Sequence, residues 1–208
     1  MVKTVVLVSG GGTNLQAVID AHLFGEIPNC ELTAVVSSNP EAYALVRAKS
    51  ANLPCYVIDW SLFPNPSSFN VAMLQKLQDL DAELVVLAGY NRPMSNSFLR
   101  TFSHRIINVY PSLLPAFSEC DPNTTAPYEE ALRRGVKYSG ATAYFVAPNL
   151  PIILQQPVEV WEGDTAKTLQ RRIMEEAEWK ILPRAIAYYC LGRLTVENGI
   201  VHITGENK

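Results

Sequence analysis

A glycine-rich turn near residue 10 is the first feature of the sequence that could do chemistry. Ser9 is followed by three glycines and then by Thr13 and Asn14, directly after a short apolar run. Glycines let the backbone turn tightly and bring N–H groups close to an anion, and a following helix N-terminus adds donors and partial positive charge. The candidate phosphate ligands are Gly11, Gly12, Thr13 and Asn14. A plain tight turn is the alternative, because a glycine run alone is a weak signal.

This turn differs from the pattern that binds dinucleotides. Leu15 stands where the third glycine of that pattern would be. The second apolar run ends at residues 37–39 in Ser-Ser-Asn, where the ribose-binding acid is expected. The turn therefore fits a monophosphate better than NAD.

The first half of the chain alternates short apolar runs with helical patterns, which place this turn at a strand end. Strands are predicted over 5–8, 32–36, 55–58, 84–88 and 106–109. Helices are predicted over 14–24, 41–51, 68–80 with Ser67 or Ser68 as the cap, and around 95–102. Strands alternating with helices imply parallel crossovers, so the fold class is α/β with a mostly parallel, doubly wound sheet.

The second half begins with a long segment over 111–125 that is rich in Pro, Ser and Asn and has no periodicity. A loop of that length in a compact domain is usually functional or mobile. The patterns that follow predict a helix over 127–134, strands over 142–146 and 152–160, one long helix over 165–190, and a terminal hairpin over 194–203. No linker separates two domains. We therefore expect one domain over 1–208, with a phosphate-binding half over 1–109 and a half over 110–208 that completes the site.

Composition narrows the function classes. Of the 208 residues, 48% are apolar and 18% charged, as in ordinary globular proteins, and the net charge of −3 lacks the basic surplus typical of nucleic-acid binding. The sequence shows neither an apolar run of roughly 20 residues nor a signal-peptide pattern. The four cysteines and three histidines are scattered. We expect a cytoplasmic protein with reduced thiols, no metal, and no nucleic-acid or membrane partner.

Three further motifs, taken with the glycine turn, carry a family resemblance. They are Asn-Val-Tyr-Pro-Ser-Leu-Leu-Pro over 108–115, Gly-Ala-Thr-Ala-Tyr-Phe-Val over 140–146 with Pro-Ile-Ile-Leu-Gln over 151–155, and Leu-Ala-Gly-Tyr-Asn-Arg over 87–92. Together they resemble the phosphoribosylglycinamide formyltransferases, collinearly from about residue 5 to residue 201. The resemblance implies a Rossmann-like formyltransferase fold. It also implies formyl transfer from 10-formyltetrahydrofolate to the amine of glycinamide ribonucleotide, a small phosphorylated metabolite of purine synthesis.

The resemblance also assigns roles to residues. It adds Glu178 near the substrate ribose and Asn108 as the catalytic asparagine. The segment that lines the folate pocket matches Asn91, Arg92, Pro93 and Met94. When the amine attacks the formyl carbon an oxyanion develops, and a side-chain amide can donate to it. In the family, a histidine tuned by an aspartate moves the proton.

The sequence departs from the family at these proton-transfer residues. Tyr110 stands in place of the histidine, and a shorter turn over 147–150 replaces an Asp-Gly-Gly turn. A phenol is a poor general base at pH 7 but can donate a hydrogen bond, so Tyr110 joins Asn108 as a candidate catalytic residue. Losing acid–base catalysis typically costs about 10²–10⁴ in rate. The shortened turn also removes one wall of the folate pocket, which predicts weak folate binding or none.

Other departures follow the same direction. Tyr128, Tyr144 and Trp179 stand where many members carry histidine, and Pro66 falls where members often carry an arginine. Tyr144 and Trp179 are interpreted as core packing, because buried aromatics usually pack.

Three functions are consistent with these patterns. One is a formyltransferase with impaired catalysis, the second a non-catalytic binding protein for a phosphorylated metabolite, and the third a structural protein in which the glycine turn is a relic. Retention of the glycine turn and Asn108 supports the first. The joint loss of histidine and aspartate favours the second, and the third has the least support.

Overall fold

A computed structural model describes residues 1–205 as nine strands and seven α-helices. The strands are β1 (Val2–Val8), β2 (Cys30–Ser37), β3 (Cys55–Val57), β4 (Leu84–Leu87), β5 (Ile106–Tyr110), β6 (Tyr138–Phe145), β7 (Ile152–Glu159), β8 (Leu194–Glu197) and β9 (Ile200–Ile203). The helices are α1 (Thr13–Leu23), α2 (Tyr43–Ser50), α3 (Pro66–Asp79), α4 (Asn96–Thr101), α5 (Ala126–Arg133), α6 (Ala166–Ile173) and α7 (Trp179–Cys190). In residues 1–205, none of the helices combines the length and apolarity needed to cross a bilayer.

Seven of the strands form one sheet in the order β3-β2-β1-β4-β5-β6-β7, and β8 pairs with β9. The first five strands of that order run parallel, whereas β6 and β7 are antiparallel to their neighbours. This confirms the predicted mostly parallel α/β sheet. The strand order reverses between β1 and β4, and ligands of such sheets bind at that point, outside the carboxyl ends of the strands.

Helices cover both faces of the sheet, so the central strand is apolar on both sides. Val6 and Val8 of β1 pack into the core beneath α1, α2 and α7. Val5 and Leu7 pack into the opposite core, which includes Phe69 of α3. All four β1 residues are fully buried, as expected for a strand of a covered parallel sheet.

The start of α3 corrects the sequence-based prediction. The cap is Asn65, whose Oδ1 accepts a hydrogen bond from the backbone N–H of Ser68 at 2.9 Å, and neither Ser67 nor Ser68 is the cap. Pro66 is the first helical residue, a position where its missing N–H costs nothing.

The predicted helix over 165–190 is interrupted by a π-helical segment, Met174–Glu178, between α6 and α7. A π segment inserts extra backbone into a helix and changes which side chains share a face, and such segments are frequent at functional sites. It ends at Glu178, which is buried. The predicted terminal hairpin is confirmed, and Asn198 and Gly199 both take positive φ at its turn.

A buried ion pair fixes the start of α6. The carboxylate of Asp164 accepts two hydrogen bonds from the guanidinium of Arg172, at 2.8 and 2.6 Å. The Arg172 hydrogen bonds hold the pKa of Asp164 at about 2, well below its usual range. This pair joins the segment before α6 to Arg172 of the same helix, which also carries Gln170.

Candidate active site

A cleft of about 390 Å³ opens at the carboxyl ends of β1, β4 and β5. Residues from both halves of the chain line it, so distant parts of the sequence meet here. The cleft is lined by Gly10, Gly11, Gly12, Thr13, Asn14, Ala88, Gly89, Tyr90, Asn91, Asn108, Val109, Pro111, Pro122, Asn123, Tyr128, Gln170, Met174 and Glu178.

The glycine turn forms one end of the cleft, and Gly12 leads directly into α1. Gly12 has φ 75°, the left-handed region, and its carbonyl accepts a hydrogen bond from the Gln16 N–H at 2.9 Å. No side chain within residues 1–205 caps the first turn of α1. The free N–H groups and the helix dipole therefore suit an anionic ligand.

Arg47 supports this turn from α2. Its Nε donates to the carbonyl oxygen of Gly11 at 2.9 Å, and its Nη1 donates to Oε1 of Gln16 at 3.3 Å. A guanidinium so close to the turn also favours a negative charge there. Sequence reasoning missed Arg47, because nothing in its local pattern indicates that α2 packs against the turn.

Gly12→Ala should destabilise the protein, whereas Gly11→Ala should not. A Cβ at position 12 would lie 2.7 Å from Cα of Ala44, and a non-glycine residue at positive φ adds strain, so we expect a loss of about 1–3 kcal/mol in the free energy of unfolding. A Cβ at Gly11 meets no heavy atom within 4 Å, so Gly11→Ala is the matched control. Urea denaturation measures both. Equal losses in the two variants would contradict this account of the turn.

A buried carboxyl lies beside the turn. Asn14 donates from Nδ2 to Oε2 of Glu178 at 2.8 Å. Burial raises the pKa of Glu178 above its usual value, and the hydrogen bond from Asn14 offsets only part of that rise. Oδ1 of Asn14 is buried and accepts no hydrogen bond within residues 1–205. Because an unpaired buried acceptor is costly, this oxygen and the carboxyl suit a ligand that carries hydroxyl or amine donors.

The predicted folate segment follows β4, and only its first residue lines the cleft. Asn91 is exposed there, and its backbone N–H donates to Oγ of Ser9 at 3.2 Å. Arg92 donates to Oγ of Ser38 at 3.3 Å and lies over the ring of Trp60. These contacts tie the segment to the ends of β1 and β2.

A side chain of α3 holds the rest of the predicted folate segment. The carbonyl oxygen of Pro93 accepts a hydrogen bond from Nδ2 of Asn70 at 3.0 Å, and Met94 packs against the apolar core on that face. Oδ1 of the buried Asn70 accepts from the N–H of Ser95 at 3.0 Å. Sequence reasoning missed Asn70, which no local signal singles out.

Asn108 and Tyr144 face each other across β5 and β6. Asn108 lines the cleft, and its Nδ2 donates to the hydroxyl of Tyr144 at 2.9 Å. The antiparallel register pairs the two residues directly. Burial raises the pKa of Tyr144, so its phenol keeps its proton at neutral pH.

Tyr110 lies away from the cleft. Its hydroxyl contacts the carbonyl oxygens of Phe117 at 2.8 Å and Cys120 at 2.5 Å, both within the 111–125 segment. Burial raises the pKa of Tyr110 to about 12. Of the two predicted catalytic side chains, the structure brings Asn108 to the cleft and places the Tyr110 hydroxyl against the loop.

The turn over 147–150 rests on the terminal hairpin. Leu150 closes it by donating from N–H to the carbonyl oxygen of Ala147 at 3.0 Å, and the Asn149 side chain packs against Gly199. The turn contains no acidic residue. No cluster of His, Cys, Asp or Glu that could hold a metal ion occurs in the part of the chain that the structure describes.

Two further cleft residues were not selected as site residues from the sequence. Tyr128 of α5 and Gln170 of α6 face the cleft beside Met174. Helical periodicity indicates that these helices are amphipathic, but it does not show which partly buried positions reach a ligand. Trp179 is half-buried and lines a separate surface cavity beside α1.

The family model described as formyl transferase matches residues 2–186. The chain is a member of the formyl transferase family. Its sequence is 35% identical over 209 residues to phosphoribosylglycinamide formyltransferase of Haemophilus influenzae, covering 99% of this chain and 95% of that protein. The enzyme of the same name from Escherichia coli is 31% identical over 205 residues, covering 97% and 93%.

A solved structure supports the same membership. Glycinamide ribonucleotide transformylase 1 from Symbiobacterium toebii superposes with a TM-score of 0.90 at 41% identity, covering 98% of this chain and 94% of that one. The resemblance inferred from the motifs and the formyltransferase fold are both confirmed. The family therefore supplies the reaction against which the cleft is interpreted.

Proposed function

We propose that this protein transfers a formyl group from 10-formyltetrahydrofolate to the amine of glycinamide ribonucleotide, more slowly than its relatives. The observation that carries the proposal is the cleft, which joins the uncapped N-terminus of α1 to Asn108 and Glu178. The relatives named for this reaction align with nearly the whole chain.

Each part of the substrate has a matching part of the cleft. The phosphate would bind the N–H groups from Gly11 to Asn14, because they converge at a helix N-terminus. The ribose hydroxyls would donate to Glu178 and to the unpaired Oδ1 of Asn14. The formyl carbon would then lie beside Asn108, whose amide can donate to the developing oxyanion.

The folate would enter along the segment that begins at Asn91. The shortened turn over 147–150 supplies no acidic group and rests on the hairpin. We therefore propose that 10-formyltetrahydrofolate binds weakly, with a Kd above about 1 μM. We also propose that the chain works as one domain, because the halves over 1–109 and 110–208 both line the cleft.

One observation favours a second candidate function, a non-catalytic binding protein for a phosphorylated metabolite. The Tyr110 hydroxyl contacts backbone carbonyls of the loop, so it is not placed to relay a proton in the cleft. In this alternative the phosphate turn and Glu178 bind the ligand, and no transfer follows.

Steady-state kinetics and calorimetry separate the two functions. We expect glycinamide ribonucleotide to bind and kcat to lie about 10²–10⁴-fold below that of the E. coli relative, since acid–base catalysis supplies about that factor. Both proteins are measured in one assay. Binding without any turnover would establish the binding protein, and absence of both would overturn both functions.

A further inference from the structure

Two tyrosines lie together at the carboxyl end of β5. Tyr110 and Tyr144 pack in one apolar cluster with Leu114, and both are more than nine-tenths buried. They lie on the neighbouring strands β5 and β6. Their hydroxyl groups, however, have different partners.

The Tyr110 hydroxyl is occupied by the 111–125 loop. It carries one hydrogen, which is shared between the carbonyl oxygens of Phe117 and Cys120, seven and ten residues along the chain. That loop continues to Pro122 and Asn123, which line the cleft. Tyr110 therefore holds the loop that forms one wall of the cleft, and its hydroxyl has no hydrogen left to donate to a substrate.

The Tyr144 hydroxyl retains its hydrogen. Its oxygen accepts from Nδ2 of Asn108 at 2.9 Å, and within residues 1–205 no group accepts the hydrogen of the phenol. Tyr144 does not itself line the cleft, but its free O–H lies next to the amide of Asn108, which does, at 2.9 Å from Nδ2. A phenol that accepts a hydrogen bond also becomes a somewhat stronger donor.

We propose that the hydroxyl of Tyr144 is a second hydrogen-bond donor, beside Asn108, to the formyl oxygen during transfer, and that Tyr110 is a positioning residue for the loop. This rests on the proposed function. The amine lone pair forms the new C–N bond while the carbonyl π electrons move to oxygen. The oxygen accepts hydrogen bonds from the second N–H of Asn108 and from Tyr144.

Collapse of the intermediate completes the balance. The electron pair on oxygen re-forms the carbonyl and the bond to the folate nitrogen breaks. The attacking amine loses its proton to solvent water, and the departing folate nitrogen takes up a proton from solvent water. Tyr144 keeps its own proton throughout, so its contribution is charge stabilisation. This role differs from the proton transfer that the family assigns to its histidine.

A matched pair of variants, Tyr144→Phe and Tyr110→Phe, tests the assignment, because each removes one oxygen from a buried phenol. Tyr144→Phe should lower kcat about 10²-fold with little change in KM, as expected for loss of a donor to an oxyanion. Tyr110→Phe should instead raise KM, because the loop that carries Asn123 is released. Thermal unfolding of both variants shows whether either change simply weakens the fold.

Affinity gives a readout that does not need turnover. The probes are a folate analogue with a hydrated aldehyde, whose tetrahedral oxygens resemble the intermediate, and the same analogue with a methyl group there. Tyr144→Phe should bind the first about tenfold more weakly, the value of one hydrogen bond, and the second unchanged. Tyr110→Phe should weaken both alike.

The outcomes distinguish the inference from the function on which it rests. If the parent protein turns over and Tyr144→Phe has the same kcat, the assignment of Tyr144 as a second hydrogen-bond donor is wrong. If the parent does not turn over but Tyr144→Phe selectively loses the tetrahedral analogue, the proposed function fails and the donor pair stands. If the parent binds neither analogue, both are overturned.

Discussion

Tyr110→His combined with an Asp-Gly-Gly turn after Val146 is expected to raise kcat/KM for formyl transfer by about 10²–10⁴-fold, the usual contribution of acid–base catalysis. Each change alone should give about tenfold or less, because residues that act as a unit are strongly non-additive. The imidazole titrates near neutral pH, which the phenol of Tyr110, with a pKa of about 12, does not. The added carboxylate would raise the pKa of that imidazole and fix its orientation.

The structure adds a second reason why histidine alone should fail. The Tyr110 hydroxyl reaches the carbonyl oxygens of Phe117 and Cys120, and an imidazole is too short to replace both contacts. The Phe117 carbonyl still accepts from the N–H of Cys120, so the Cys120 carbonyl is the group that loses its donor. An unpaired acceptor of this kind costs about 1–3 kcal/mol where it is buried.

The measurement is kcat/KM against pH for the parent, both single changes and the combination. An Asn-Gly-Gly turn, equal in length but uncharged, is the control for the aspartate. In the combination alone, the rate should rise with pH through the histidine pKa, since the neutral imidazole is the base. If kcat/KM of Tyr110→His alone equalled that of the combination, the histidine and the aspartate would not act as a catalytic unit. A parent with kcat on the order of 10 s⁻¹ would contradict impaired catalysis altogether.

The sheet was predictable because each strand carries its own signal. Residues 5–8 are continuously apolar, as a strand covered on both faces must be, and β1 is buried on both sides. Details at the level of single residues were not predictable from the sequence. The π-helical segment Met174–Glu178 shifts which side chains share a face, but the helical period on either side of it is unchanged, so the sequence pattern predicts one continuous helix. The Asn65 cap was missed because two serines follow it after Pro66, and serine is an equally good cap.

The site was predictable only where its parts are local. The glycine turn follows β1 and Asn108 lies within β5, each inside a short run of motif residues, so a short motif was enough to select them. Contacts that join distant elements leave no local pattern. Asn14 and Glu178 are 164 residues apart, and Arg47 reaches the turn from another helix.

The orientation of a side chain is equally hidden in the sequence. Tyr110 was predicted to stand at the position of the family's catalytic histidine, yet its hydroxyl contacts the loop, whereas Tyr144 meets Asn108. Residue type and position were available from the sequence. The direction of each phenol depends on β6 and on the 111–125 segment together.

Asn108→Ala is expected to lower kcat about 10²–10³-fold while leaving KM for both substrates nearly unchanged. The amide would donate to an oxygen whose charge exists only during transfer, so removing it weakens the transition state and spares the ground state. The matched control is Asn123→Ala, which truncates another asparagine of the same cleft whose amide donates to Asp121. That change should alter kcat by about threefold or less, since it removes no donor from the reaction centre.

The loss in Asn108→Ala must also be separated from a weakened fold. Asn108 is half-buried, and within residues 1–205 its side chain donates one hydrogen bond, to Tyr144, so the free energy of unfolding should fall by only about 1 kcal/mol. Urea denaturation of both asparagine variants measures this, and the kinetic comparison holds at temperatures where each stays folded. Equal kcat values for Asn108→Ala and Asn123→Ala would mean that the oxyanion is stabilised elsewhere in the cleft. A rise in KM without a fall in kcat would mean that Asn108 binds the substrate in its ground state, because uniform binding changes KM alone.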